Sequence, residues 1–158
     1  MKTLVVFYSR DGLTKKIAAE LAGLLQAETE ELVDLKGRQG LWGWFLAGGD
    51  AFRKKLTRIT GSAKDPAAYD LVVLGSPIWA GSITPAARTF LSESSHQIKR
   101  AAFFCTKGGT SSQKFFLEME QLSGQKPLAI LDIKRGEELS GAATHKMIRF
   151  VDEIKRNS

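Results

Sequence analysis

At 158 residues, with 43% apolar side chains, the chain has the size of one domain and enough hydrophobic surface to fold around a core without disulfides. Cys105 is its only cysteine and no Cys/His spacing suits a metal, which excludes a disulfide scaffold and a zinc module and points to a reducing compartment, the cytoplasm. The 23 Lys and Arg against 17 Asp and Glu leave a net charge of +6, a bias toward anionic partners that does not by itself identify one.

The chain opens on Leu4-Val5-Val6-Phe7 inside a strand-like block, Thr3 to Tyr8. This block is too short for a secretory h-region and is cut off by Arg10 and Asp11. Leu13, Ile17, Leu21 and Leu24 follow at helical spacing, then a second strand block, Glu31 to Asp34. The surrounding "ETEELVD", with four acids, suits a sheet edge where side chains reach water. Between Leu35 and Ile59 the alternation breaks down. Trp42, Trp44, Arg53, Lys54, Lys55 and Arg58 crowd a stretch that reads as core covering, as a flap over a ligand, or as a basic aromatic patch for a membrane surface or acidic protein. Order returns with strand blocks at Leu71 to Gly75, Ala101 to Cys105 and Leu128 to Ile133. Helical spacing appears at Ala87 and Leu91, at Phe115, Met119 and Leu122, and at Met147, Val151 and Ile154. Thr84 with Pro85 reads as an N-cap and first helical residue, Ser111 or Ser112 as the next cap, and Ser140 as the last.

Strands alternating with helices predict a parallel sheet covered on both faces, and the continuously apolar strands belong at its centre. No repeat, linker or run near the ~20 apolar residues of a membrane helix interrupts it, so 1–158 reads as one domain.

In open parallel sheets, ligands sit beyond the carboxyl ends of the strands. Three connections qualify. Ser9, Arg10, Asp11, Gly12, Leu13 and Thr14 lead into a helix whose first amides favour an anion; alternatively, Ser9 or Asp11 simply caps that helix. Ser76, Pro77, Ile78, Trp79, Ala80 and Gly81 hold a large aromatic where a flat heterocycle could stack on it, or else a core tryptophan. Thr106, Lys107, Gly108 and Gly109 are small, polar and glycine-rich.

With "SPIWAG", "TPAARTFL" and "FFCTKGG" following the first loop in order, the chain resembles the flavodoxin family, its short flavodoxin-like members in particular, over nearly its whole length. The resemblance implies a doubly wound, three-layer α/β/α fold with a five-stranded parallel sheet in the order 2-1-3-4-5, binding FMN non-covalently. On that basis Ser9 to Thr14 would cradle the phosphate, Pro77 to Gly81 would lie along the isoalloxazine with Trp79 near its face, and Thr106 to Gly109 would line the opposite edge. Two departures stand out. Asp11 occupies a position where the family usually has a hydroxyl, so it should point outward or bond to loop amides with Arg10 or Lys15 offsetting its charge. The similar Arg-Asp-Gly turn of flavodoxin-like protoporphyrinogen oxidases implies that an aspartate there is compatible with FMN. The third loop also lacks the family's tyrosine, so the outer flavin face is either open to a substrate or covered by Trp42 or Trp44.

The resemblance implies a low-potential electron carrier with a redox partner protein, here an acidic one. The alternative is an FMN-dependent reductase or dehydrogenase, of the NAD(P)H:quinone or protoporphyrinogen type, using the open face. Cys105, ending a central strand, reads as a small buried hydrophobe, with a redox role as the alternative; His96 and His145 read as surface residues. A phosphoacceptor receiver would need an aspartate where strand three ends in Gly75-Ser76. The basic residues are too scattered for nucleic acid, and neither GxGxxG nor GxxxxGK follows a strand.

Overall fold

The structure is a computed structural model that describes residues 1–34, 56–59 and 63–158. Its elements run β1 (Thr3–Phe7), α1 (Leu13–Leu25), β2 (Glu28–Glu31), β3 (Leu71–Pro77), α2 (Pro85–Ser94), β4 (Ala101–Lys107), α3 (Gln113–Ser123), β5 (Ile130–Lys134) and α4 (Ala142–Asn157). All five strands are parallel, in the order β2-β1-β3-β4-β5. Parallel neighbours need long crossovers, and the helices supply them while covering the sheet.

Successive side chains leave a strand on opposite faces, so each apolar run feeds two cores. Leu4, Val6, Val72, Leu74 and Phe103 meet Ile83, Phe90 and Leu91 from α2 and its approach, and Phe115 and Met119 from α3. Val5, Phe7, Val73 and Phe104 turn the other way, onto Ile17 and Leu21 of α1 and Met147, Phe150, Val151 and Ile154 of α4. This is why the central strands are apolar throughout rather than alternating. The edge strand β2 leaves Glu28 and Glu31 exposed and Glu30 half-buried, as an acidic strand at a sheet edge allows.

Several boundaries differ from the sequence reading. The second strand is Glu28–Glu31, not Glu31 to Asp34: Leu4 to Phe7 pair with the acidic segment, and Asp34 instead forms a single antiparallel bridge with Ile59. Strands β3 and β4 run two residues beyond the expected ends because Ser76 pairs with Cys105 and Pro77 with Thr106, making those loop residues strand tips. Thr84 caps α2 as expected, its Oγ1 accepting from the Ala87 amide at 3.5 Å with Pro85 in the first turn. Ser140 does not cap α4. Gly141, at φ 74°, takes that position, and Ser140 Oγ donates to the Glu137 carbonyl at 3.2 Å. Likewise Ser112 precedes α3 without a side-chain cap bond, while Ser111 Oγ accepts from the Gln113 amide at 3.4 Å.

Of the aromatic and basic stretch, Trp42, Trp44, Arg53, Lys54 and Lys55 lie outside the described residues. Thr57 is buried: its amide donates to Thr89 Oγ1 at 3.0 Å and its hydroxyl to Asp34 at 2.8 Å, fastening 56–59 to α2. Among the described residues no helix is long and apolar enough to cross a membrane.

Candidate functional site

Because β1, β3 and β4 are neighbours, their carboxyl ends deliver three loops to one edge of the sheet. Between them lies a cleft of about 240 Å³. The first loop contributes Arg10, Asp11 and Leu13, the second Pro77, Ile78 and Trp79, and the third Thr106, Lys107 and Gly108; Arg135, from beyond β5, closes the remaining side. A larger groove, about 820 Å³, runs along β5 and α4 and is lined by Asp132, Lys146, Arg149, Asp152 and Glu153. It opens on the outer flank of the molecule, so volume alone does not mark the site.

In the first loop, Gly12 adopts φ 90°, a left-handed conformation glycine takes without strain, and α1 starts there with no side-chain cap bond. Asp11 takes the first amide of α1, that of Leu13, and the amides after it in the first turn are the ones an anion could use. Ser9 Oγ is buried and, among the described residues, has no hydrogen-bond partner. That is unusual enough to need a reason, and a ligand oxygen would be one. Thr14, almost fully buried, shares a 2.7 Å hydroxyl–hydroxyl hydrogen bond with Thr106, lacing the first loop to the third.

Asp11 Oδ1 accepts from Leu13 N, the first amide of α1, at 3.2 Å, as the alternative reading of Asp11 as a cap also has it, but its charge is offset from an unforeseen direction. Lys15 pairs with Glu31 at 2.7 Å and the Arg10 guanidinium sits 5.7 Å from the Trp79 ring centre. Asp11 is instead paired with Arg135. Burial alone would raise the Asp11 carboxyl, but the bonds from Arg135 and Leu13 outweigh it and hold the group below its ordinary value.

In the second loop, the Ile78 amide donates to the Thr106 carbonyl at 2.9 Å, and Trp79 and Ser82 exchange two backbone bonds of 3.0 and 2.9 Å. With φ of 49° at Ala80 and 74° at Gly81, Trp79 to Ser82 is a mirror-image tight turn of the kind normally built from Asn-Gly. The Trp79 ring is half-buried, edge-on to Tyr8 at 5.5 Å. Ser76, also expected at the site, is fully buried at the loop's base, its hydroxyl 2.9 Å from Thr84 Oγ1, and it does not line the cleft.

In the third loop, Gly108 and Gly109 are exposed, with open space where a side chain would stand. Lys107 Nζ is held by Asp132, which also accepts from Ser112 Oγ at 2.7 Å and pairs with Lys146 at 3.3 Å. Burial opposes ionisation of Asp132, yet Lys107, Ser112 and Lys146 bring its pKa down to about 2. Sequence reasoning missed Arg135 and Asp132. For Asp132 a signal existed: one acid inside the otherwise apolar "LAILDI" has to be held by something.

Cys105 is fully buried, and burial, seconded by the Asp132 charge, pushes its thiol well up, so it behaves as a small hydrophobe. His96 and His145 are exposed and neither lines the cleft. Among the described residues no three His, Cys, Asp or Glu side chains gather as a metal site.

No family model and no curated protein matches the chain. Solved structures do. A flavoprotein from Lactobacillus acidophilus NCFM, in complex with FMN, is similar over 90% of this chain and 98% of its own, with TM-score 0.73 and 23% identity. A flavodoxin, WrbA-like protein from Agrobacterium tumefaciens covers 99% of each chain at TM-score 0.59 and 16% identity. Oxidised Flavodoxin 1 from Bacillus cereus covers 96% of this chain and 98% of its own at 0.54 and 18%. Sheet order, the two helical layers and these likenesses over nearly the full chain together establish that this protein has the flavodoxin-like α/β fold.

Proposed function

We propose that the cleft binds FMN non-covalently and that the protein passes electrons through it to a partner protein. The observation that carries this reading is the buried Ser9 hydroxyl just beyond β1, which has no partner among the described residues, beside the start of α1 and a tryptophan-walled cleft. The FMN in the similar Lactobacillus acidophilus structure supports it. FMN, when bound, supplies one- and two-electron redox chemistry, which leaves the protein to bind, orient and set the local charge. Ser9, Gly12 and the first turn of α1 would hold the phosphate, with Arg135 neutralising Asp11 beside it. Trp79 would offer its plane to the ring system, and Lys107 and Gly108 would border it. The test is the visible spectrum of the purified protein and a titration of the apoprotein with FMN, read by quenching of flavin fluorescence. Saturable quenching at one equivalent is expected. Fluorescence that stays unquenched overturns the reading.

A second reading, an FMN-dependent reductase acting on a quinone or a porphyrinogen, is favoured by one observation. Gly108 and Gly109 leave open space in the third loop, whose own sequence, Thr106 to Ser112, carries no aromatic residue. Rapid oxidation of NAD(P)H by the loaded protein supports the enzyme; reduction only through a protein partner supports the carrier. With a net charge of +6, the partner proposed here is a cytoplasmic protein with an acidic docking face.

A further inference from the structure

Behind the second loop lies an ion pair that the cleft itself does not use. Arg88 on α2 and Glu118 on α3 are 5% and 7% exposed, with Nη2 and Oε1 2.6 Å apart, and neither side chain lines the cleft. Both reach the same loop residue. Glu118 Oε2 accepts from Ser82 Oγ and, at 3.3 Å, from the Ile83 amide, while Arg88 Nη2 donates to Ser82 Oγ at 3.2 Å. The Ser82 hydroxyl therefore gives its proton to one partner and accepts one from the other, which fixes its orientation.

Stability is a poor reason for this arrangement. Taking two charges out of water costs several kcal/mol each, and well-packed apolar residues commonly join two helices as well or better. The Arg88 Nε is also buried without an acceptor among the described residues, an added cost. What apolar side chains cannot do is grip a hydroxyl and an amide of the loop.

That loop needs gripping. Ala80 stands at φ 49°, a left-handed conformation that strains a residue bearing a Cβ. A turn carrying that strain relaxes unless both ends are fixed. Trp79 opens the turn, Ser82 closes it, and the two backbone bonds between them pass any movement of Ser82 directly to the indole.

We infer that Arg88 and Glu118 are positioning residues, which lock the Trp79–Ser82 turn from behind and so hold the indole where it receives the isoalloxazine ring. The inference rests on the FMN reading of the cleft. It makes α3, which follows the third loop, the brace of the second, so two walls of the cleft are fastened to one helix. Glu118 stays ionised there: burial opposes its charge, but the bonds from Ser82 and Arg88 prevail and its carboxyl lies below the ordinary value.

The test compares FMN affinity with apoprotein stability in the full chain, for the double variant Arg88→Met/Glu118→Leu and for Ser82→Ala. The double variant should unfold at or above the wild-type temperature yet bind FMN about tenfold more weakly, because the loop must now be ordered when the ligand arrives. Ser82→Ala leaves the ion pair intact and should weaken FMN in the same direction with little change in unfolding temperature. If both variants bind FMN within about twofold of wild type, the inference is overturned. Should the double variant fail to fold, Ser82→Ala decides alone, and a loss of FMN affinity matched by an equal loss of apoprotein stability would mark a purely structural role and overturn it too. A wild-type protein that does not bind FMN overturns the cleft reading and this inference together, whereas a wild type that binds beside variants that bind equally well overturns only the inference.

Discussion

A buried hydroxyl without a partner burdens the folded chain, and among the described residues the Ser9 hydroxyl, just beyond β1, has none. Replacing it with alanine removes that burden. The Ser9→Ala apoprotein should be as stable as wild type or more so, by up to about 1 kcal/mol, while losing a bond to a charged phosphate should weaken FMN about tenfold or more. Thermal unfolding without FMN and fluorescence titration with it separate the two effects. If stability and affinity fall together, Ser9 serves the fold and the hydroxyl has found a partner within the chain. Asp11 behaves differently. Its pair with Arg135 is half exposed, so it adds little to stability, and its consequence is local, the cancellation of a negative charge beside the proposed phosphate site.

Among the elements, β3 depends most on a single residue. A methyl group on Gly75 would stand 1.9 to 2.5 Å from ring atoms of Phe104, which is itself fully buried from β4. The ring cannot swing into water, so Gly75→Ala should destabilise the protein by about 1–3 kcal/mol, read as a lower denaturation midpoint at unchanged slope. A neutral result would mean that β3 and β4 can slide apart. The elements were legible in the sequence wherever burial on two faces wrote an unbroken apolar run, as in Leu71 to Leu74 and Ala101 to Phe104. They were misread where pairing, not side-chain character, decides the ends. Leu32 and Val33 drew the second strand too far along the chain, because apolar residues look like strand, yet the backbone that pairs with β1 belongs to the acidic Glu28–Glu31. The three loops could be found from composition, since strand tips in a parallel sheet converge. Arg135 could not, because it reaches Asp11 from 124 positions away and nothing local marks it. Likewise, the Arg88 and Glu118 pair is written as two ordinary charges in two amphipathic helices.

Across the whole molecule, Asp11, Asp132 and Glu137 near the carboxyl ends of β1 and β5 ionise more readily than usual, as do Glu28, Asp70 and Glu118 elsewhere. A carboxylate whose folded pKa lies below its unfolded one contributes stability above the unfolded value, and that contribution disappears as pH falls through the folded value. For Asp132 the window runs from about pH 5 down to its folded pKa of about 2. After discounting for its partial exposure, roughly 1–2 kcal/mol should be lost there. Comparing Asp132→Asn with wild type in denaturant titrations across that range should show their difference shrinking with acid; a constant difference would remove Asp132 from the account. Net charge sets a second whole-molecule expectation. Docking to an acidic partner should weaken steeply between low and physiological salt, chiefly through a slower association rate in stopped-flow measurements. Salt-independent association would rule out charge steering. The shared bond between Thr14 and Thr106 acts at this scale too, since it rivets the opening of one helix to the end of a strand more than ninety positions later in the chain. A socket stitched in this way is finished before its guest arrives: capture should proceed as a single encounter whose speed rises in proportion to nucleotide concentration, with no slow rearrangement afterwards.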